Sequence, residues 1–380
     1  MLIQFHMLQN YAPSNLNRDD TGAPKDAIFG GHRRGRISSQ CLKRNIRRSE
    51  AFKDAFEKDG LLGIRTRQLP DLIRKELEAM GVDEAIREAI IMPIAKFGRE
   101  SAKKSAEEES DDSAKQEAEA DTATKQLIFL GRDELRPMAE NLLALYKKTG
   151  KDKWKKFESK DITKVLGRHA PRSVDISMFG RMTTSEAFEN VQAAVQVAHA
   201  ISTNALTQEF DYYTAIDDLK PTSEPGADMI GDVEFNSSTY YKYLNIHWEG
   251  LVENLGGDKD VARKAVLALL EAAATSQPSG KQNTFAAQNL PDLILVEVSQ
   301  KNLPVSYANA FIKPARASSS QSLMDASVEQ LSDYMGRVDK TYGLKAERAF
   351  TATQSYKLPD AGVQDSLPGL LKWLDKQLAG

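Results

Sequence analysis

The sequence is poor in the groups from which reactive centres are built. Among 380 residues there is one cysteine, Cys41, which excludes an internal disulfide and fits a reducing cytoplasm. The five histidines, at positions 6, 32, 169, 199 and 247, share no metal-ligand spacing with one another or with Cys41, so neither a metal nor a cofactor is expected. There is no Gly-rich nucleotide-binding motif, no catalytic-triad signature and no paired-His metal motif. No apolar run approaches a membrane span, and the opening MLIQFHML has neither the charged start nor the cleavage site of a signal peptide, so no membrane partner is expected. Charge of either sign is scarce in the balance: the net value of −3 excludes wholesale attraction of nucleic acid by the entire surface. Any such binding has to be local.

What is present is ordinary globular material, 41% hydrophobic and 28% charged, enough for one large or two ordinary domains. The alternation of Ile3, Phe5 and Met7 predicts a half-buried strand over 1–8. Residues 9–35, rich in Asn, Pro, Gly and Asp, read as a long loop of the kind that is usually functional. Ser38 or Ser39 can cap a helix running to about 56, with Leu42, Ile46 and Phe52 inward. Residues 65–168 are mostly helical in pattern. Within them, 99–126 holds nine acidic residues and no Val, Ile, Leu, Met or aromatic, so it is a solvated helix or a disordered loop.

Strict period two over 191–203 (VQAAVQVAHAIST) predicts one long strand with His199 on its apolar side, where a satisfied core histidine is the plain reading. Residues 206–236 interrupt again, turning back at KPTSEPGAD. Strands at 239–248 and 293–298 flank a helix at 259–275, and helices near 327–341 and 367–378 close the chain. Without its interruptions the order is strand, helix, strand, strand, helix, strand: an α+β fold of ferredoxin-like or RRM-like kind.

Against the acidic balance stands KDAIFGGHRRGRISSQCLKRNIRR, residues 25–48. Seven of the sixteen residues from 33 to 48 are Lys or Arg, and none from 27 to 49 is acidic. On a helical wheel Leu42 and Ile46 share one side, while Gln40, Lys43, Arg44, Arg47 and Arg48 occupy the other. Like charges at i,i+4 destabilise a helix by a few tenths of a kcal/mol per pair, a cost that a polyanion relieves. The neighbouring RISSQ offers two hydroxyls and a helix start beside Arg36, a phosphate-binding arrangement. The glycines of IFGGHRRGR let an anionic backbone approach. Such a face suits sugar-phosphate contacts, and a plain solvated helix is the alternative.

The stretch SNLNRDDTGAPKDAIFGGHRRGRISSQCLKRNIRR, with GRMTTSE, AHAISTN, YYTAIDDL, EFNSSTYYKYLNI, ENLGG and YANAF in order behind it, closely resembles the CasC backbone subunits of type I-E CRISPR Cascade complexes. The resemblance runs from about residue 2 to at least 343 and is weak in the helical insertion and the last thirty residues. It implies a hand: an RRM-like palm at 1–60, 172–203 and 237–380, helical fingers at 61–171 and a β-hairpin thumb at 204–236. It implies a non-catalytic protein that stacks head to tail on CRISPR guide RNA with other Cascade subunits and holds the spacer for target DNA, base pairing doing the sequence reading. By position, Arg18, Lys25, Ser38, Gln40, Lys43, Arg44 and Arg47 would touch the RNA backbone. Met182, Tyr212, Tyr213, Ile216 and Ile230 would wedge or stack where the thumb kinks the guide. Lys155 and Lys156, within the seven-lysine stretch 147–160, would touch target DNA, with a solvated helix equally open. Cys41 stands where the family has a serine, and the acidic 99–126 insertion has no counterpart.

Two alternatives remain. Asp19 and Asp20 could serve a metal-dependent ribonuclease, although a two-metal site needs more carboxylates and NRDD can equally turn the chain. A generic single-strand RNA binder would need base-stacking aromatics on its sheet; MLIQFHML and AHAISTN carry Phe5 alone.

Overall fold

The computed structural model describes residues 1–94, 127–154, 172–183, 188–215 and 229–379. The chain opens with β1 (Leu2–Ser14), β2 (Asp26–Phe29), β3 (His32–Ile37), α1 (Ser39–Arg48) and α2 (Glu50–Phe56). Next come β4 (Ile64–Thr66), α3 (Leu69–Ala79), α4 (Glu84–Ile94), β5 (Ile128–Leu130), α5 (Arg132–Thr149), α6 (Lys151–Trp154) and α7 (Val174–Phe179). It continues with β6 (Val195–Val197), β7 (Ala200–Ser202), β8 (Glu209–Ala215), β9 (Met229–His247), α8 (Trp248–Asn254), α9 (Lys259–Thr275) and α10 (Gln282–Phe285). Last are β10 (Leu293–Ser299), a 3-10 turn (Tyr307–Phe311), α11 (Leu323–Tyr342), β11 (Glu347–Ala352), β12 (Ala361–Val363) and α12 (Leu367–Ala379). Two compact units result: Met1–Phe52 with Val195–Trp248 and Arg263–Gly380, and Lys53–Ala194 with Glu249–Ala262.

The first unit is α+β, built on a mostly antiparallel sheet in the order β12-β11-β10-β1-β9-β7-β3-β2, with β6 and β8 also paired to β9. The parallel pair is β11 with β12. Rather than being half-buried, β1 lies between β9 and β10 and is buried on both faces, because helices cover both sides of the sheet. It also runs six residues further than the expected 1–8, so the loop shrinks to 15–25. Part of the expected loop is the β2–β3 hairpin, whose Gly30 and Gly31 (φ 60° and 78°) form its two-residue turn.

Three other expectations change. The helix expected to run from Ser38 to about 56 breaks at Ser49, whose extended backbone (ψ 155°) separates α1 from α2. The expected long strand over 191–203 is two short ones. Val197 pairs with Leu244 but Ile201 pairs with Tyr241, a one-residue slip that marks a bulge at 198–199. That bulge turns His199 out to solvent, so it is not a core residue. The strand expected at 239–248 is the inner half of the 19-residue β9. Strands β11 and β12 have no counterpart among the expected elements.

One sheet face packs beneath α1 and the later part of α9: Leu42, Ile46, Val197, Leu244 and Ala273 meet there. Arg263 grips Asp375 of α12 at 2.5 and 2.6 Å on α9. The opposite face packs under the 3-10 turn and α11, where Leu8, Leu293, Leu295, Phe311, Leu331, Met335 and Phe350 cluster.

Within that apolar layer sits a buried polar network. His6 contacts the Tyr241 hydroxyl at 2.8 Å and Glu297 at 3.0 Å. Tyr307 donates to Glu297 at 2.9 Å, and Arg348 bridges Glu297 to Asp339. Burial alone would raise the Glu297 pKa, but His6 and Arg348 outweigh it and hold it down at about 2. Its stabilising contribution is therefore present above the ordinary carboxylate range and lost as pH falls towards 2.

In the second unit, α3, α4, α5 and α6 enclose Leu69, Ile73, Leu77, Ile90, Leu135, Met138, Leu142 and Trp154, so the described part of the expected helical insertion is mainly helical. A buried ion pair, Arg181 to Glu134 at 2.7 Å, closes it, and Glu134 also accepts from the Gly131 amide at 2.6 Å. Burial raises the Glu134 pKa despite Arg181. The acidic stretch 99–126 lies outside the described residues.

Removing Arg348 leaves Glu297 buried without its cation. Arg348→Ala should cost about 3–5 kcal/mol in urea unfolding, because an unpaired buried charge is left behind; a loss no larger than that of a surface substitution would show the network to be dispensable.

Candidate nucleic-acid interface

The loop 15–25 is held in place by two asparagines that the charge pattern does not single out. Fully buried Asn15 donates to the Gly22 carbonyl at 2.9 Å and the Glu234 carbonyl at 3.0 Å, tying the loop to β9. Asn17 accepts the Ser38 amide at 2.8 Å through its side chain and the Lys25 amide at 2.8 Å through its carbonyl. The loop is thereby fixed to the start of α1. The signal for both was the SNLN preceding RDD, since Asn bonds readily to nearby backbone in turns.

Asp19 organises the tip. Its Oδ1 accepts from the Thr21 hydroxyl at 2.8 Å, the Thr21 amide at 2.9 Å and the Ala23 amide at 3.0 Å. The Thr21 hydroxyl bond is the main cause of its lowered pKa.

The helix α1 follows its wheel. Leu42 and Ile46 are buried, Gln40, Arg44 and Arg48 are exposed, and Lys43 and Arg47 are half-buried. Ser38 is the cap, its hydroxyl accepting the Cys41 amide at 3.2 Å. Ser38 is itself buried and its amide is bonded to Asn17, so two donors at the helix start, the Ser38 and Cys41 amides, are occupied from within.

The cations before the helix are also not a uniform free row. Arg33 pairs with Asp26. Arg36 donates to the Asp26 carbonyl at 3.0 Å and meets His199 at 3.1 Å. Arg34 is fully buried and bonds five carbonyls, among them Thr203 at 2.7 Å and Phe311 at 2.5 Å. It latches the β2–β3 hairpin onto the 202–204 and 311–312 segments. Gly30 permits the latch: a Cβ there would fall 2.3 Å from the Ile312 carbonyl oxygen. Gly30 and Gly31 thus serve the hairpin, and the space around Gly31 is open.

The structure gathers Arg18, Lys25, Ser38, Gln40, Lys43, Arg44 and Arg47 on the loop and α1 of one unit. Arg44 and Lys25 both act electrostatically on the Cys41 thiol, whose pKa burial nevertheless raises. Partial desolvation together with Arg36 and Lys25 holds the His199 pKa below its usual value.

The thumb expected at 204–236 contains the exposed ribbon of β8 with the outer half of β9. Residues opposite one another share a face, so Tyr212 lies with Asp232, and Ile230 with Thr214, on one side. Tyr213 is on the other, its ring lying over Gly231, where a Cβ would come within 2.5 Å. Tyr212 and Ile230 are 65% and 63% exposed. Met182 is 96% exposed and belongs to the second unit. Ile216, Lys155 and Lys156 lie outside the described residues.

The sheet face opposite α1 carries aromatics beyond the two segments in which Phe5 stands alone: Tyr241 and Tyr243 line it beside His6. They are buried, and Tyr307 stacks on His6 at 4.6 Å between centroids.

Beneath α1 lies Lys242, 2% exposed, 5.9 Å from the Tyr11 ring. Desolvation lowers its pKa to about 7, and nearby Cys41 opposes the shift.

A chain of similar fold occurs in a solved structure described as "CRISPR RNA-guided surveillance complex, pre-nicking"; it is 28% identical, each chain is covered over 100% of its length, and the TM-score is 0.78. A chain of another, described as "CRISPR RNA-guided surveillance complex", is 23% identical over 99% of both chains with a TM-score of 0.62, a likeness of fold alone. The architecture is thus one found in CRISPR surveillance complexes. Residues 3–373 match the model of the Cas family described as CT1975-like protein, and the chain belongs to that family. No curated protein matches it in sequence. Among the described residues no helix is long and apolar enough to cross a membrane.

The folded pKa of Lys242 lies below the 10.5 of a free lysine, so the unfolded chain binds the extra proton between the two values. Stability should therefore rise by several kcal/mol from about pH 7 to about pH 10, gaining roughly 1.4 kcal/mol for each step of one in pH. Lys242→Met should be the more stable protein at pH 7 and should lack that rise; denaturant unfolding at both pH values checks it.

Proposed function

We propose that this protein is a non-catalytic, crRNA-binding backbone subunit of a Cascade-type surveillance complex, of the type I-E CasC kind. Copies line up head to tail along the guide RNA, join other Cascade subunits and present the spacer to target DNA. The observation that carries this reading is α1: its apolar side is buried and its other side brings Gln40, Arg44 and Arg48 into solvent beside Lys43 and Arg47. Family membership and the full-length likeness to a surveillance-complex chain support the biological setting. The strand order β10-β1-β9-β7, with α1 and α9 as crossovers, fits the 4-1-3-2 arrangement of an RRM-like palm. The exposed two-stranded ribbon fits a thumb.

The self-covered sheet supports backbone gripping over base reading. With His6 stacked by Tyr307, a guide strand is left the loop and α1, which offer cations and amides rather than pockets for particular bases. The absence of catalysis is part of the proposal. Asp19 Oδ1 is occupied by three internal donors, an arrangement that serves a turn.

Lys43→Glu with Arg47→Glu should abolish binding to a single-stranded guide-like RNA while leaving the circular dichroism spectrum of the folded chain unchanged. Wild-type affinity in that variant would remove α1 from the site. In the thumb, Tyr212→Ala should weaken assembly on RNA by roughly 1–3 kcal/mol, the worth of one base stack, without changing the melting temperature. Tyr213→Ala should instead loosen the ribbon, seen as faster amide exchange at Gly231.

A further inference from the structure

The bulge at 198–199 turns out one side chain to which the functional reading gives no role, the exposed ring of His199. Bulges recur beside binding sites because they re-aim a single side chain out of the alternation of its strand. Here the re-aimed ring meets a cation: Arg36 Nη1 donates to His199 Nδ1 at 3.1 Å. A guanidinium carries donors only, so Nδ1 is the acceptor and the proton of the neutral imidazole is on Nε2. Partial desolvation, with Arg36 and Lys25 close by, holds the His199 pKa below its usual value, so the ring is uncharged near neutrality. His199 therefore offers an oriented N–H donor and not another positive charge.

The surroundings of that donor are cationic and lack a spare acid. Arg36 is fixed through its backbone and one end of its fork. It pairs with Ile201 across β3 and β7, its amide donates to the Lys25 carbonyl at 2.9 Å, and its Nε donates to the Asp26 carbonyl at 3.0 Å. The Asp26 carboxylate is itself taken by Arg33. Among the described residues, Arg36 Nη2, His199 Nε2 and the Lys25 ammonium have no hydrogen-bond or ion-pair partner. The group also adjoins the site already described. Arg36 stands shortly before the Ser38 cap of α1, and Lys25 acts electrostatically on both His199 and Cys41 of α1.

Resting on the reading above, we propose that Lys25, Arg36 and the Nε2–H of His199 form a phosphate site that carries the guide RNA from α1 onto the bulge between β6 and β7. Lys25 and Arg36 supply the attraction, and the neutral ring supplies direction, because its one donor is aimed by the Arg36 bond on the other nitrogen. A phosphodiester fits such a group: it brings the negative charge that no neighbouring carboxylate provides, and its paired oxygens can accept from a guanidinium and an imidazole together. The contact would position the strand without reading its bases.

The test is His199→Ala in the full chain, beside His199→Gln, which keeps a side-chain N–H donor. Since the ring is exposed, both variants should melt with the wild type. His199→Ala should bind a labelled single-stranded oligoribonucleotide several-fold more weakly at neutral pH with the log-log salt slope unchanged, because no cation is lost. His199→Gln should recover most of that affinity. Arg36→Gln should instead make the slope shallower by about 0.7, the share of one phosphate contact. Wild-type affinity in His199→Ala overturns the site, and a loss in His199→Gln as large as in His199→Ala overturns the donor role. The Lys43→Glu, Arg47→Glu variant separates the two claims. If it loses binding while His199→Ala keeps it, the bulge site alone fails. If it binds like wild type, the α1 site on which this inference rests fails.

Discussion

The structure depends on the continuity of β9. Its inner half is laddered to β1 along one edge and to β6 and β7 along the other, so its position is set by pairing on both sides. Its outer half leaves the core without a break and, among the described residues, pairs with β8 alone. The exposed ribbon therefore inherits the orientation of a buried strand instead of swinging on a loop. Asn15 bonds the Glu234 carbonyl near the point of exit, which fixes the loop 15–25 to the same strand. Asn17 in turn fixes that loop to α1. Ribbon, loop and cationic helix are thus registered to one backbone, which matters for any site assembled from all three.

The two sheet faces favour the edge of the sheet over its faces for the proposed site. One face is closed by α1 and α9, as crossover helices require. The other is closed by a polar network within an apolar layer, with Glu297 receiving His6, Tyr307 and Arg348. Buried ion pairs add little net stability compared with well-packed apolar groups, yet breaking one is costly. Such a network is a strong lock. With Tyr307 stacked on His6, that face is covered by the chain's own aromatic ring.

How much of this was legible depended on whether the governing contact was local. The apolar stripe of α1, a cap at Ser38 or Ser39, the helix at 259–275 and the strand beginning at Leu293 were readable because neighbours a few residues away decide them. The strand over 191–203 was misread because a bulge leaves period two intact on either side and inverts it in the middle, turning His199 outward. The burial of β1 on both faces was invisible because β10 and β9 reach it from some 230 to 300 residues away. Asn15 was missed for a related reason: its role is explained by Glu234, and no window of sequence contains both.

Charge shows the same limit. Seven cations between 33 and 48 read as one patch, but tertiary structure sorts them into different jobs. Arg34 becomes a structural bolt among carbonyls, Arg33 is neutralised by Asp26, and Arg36 leans on His199. A buried Arg without a carboxylate is tolerable because five carbonyl dipoles replace its water, as the unpaired state could not. The helix is left with the cations that face away from Leu42 and Ile46. An anionic strand lying on α1 therefore meets a narrower and better-positioned set of charges than composition implies. Its affinity would rest on geometry held by Asn15, Asn17 and Arg34, residues that need never touch it.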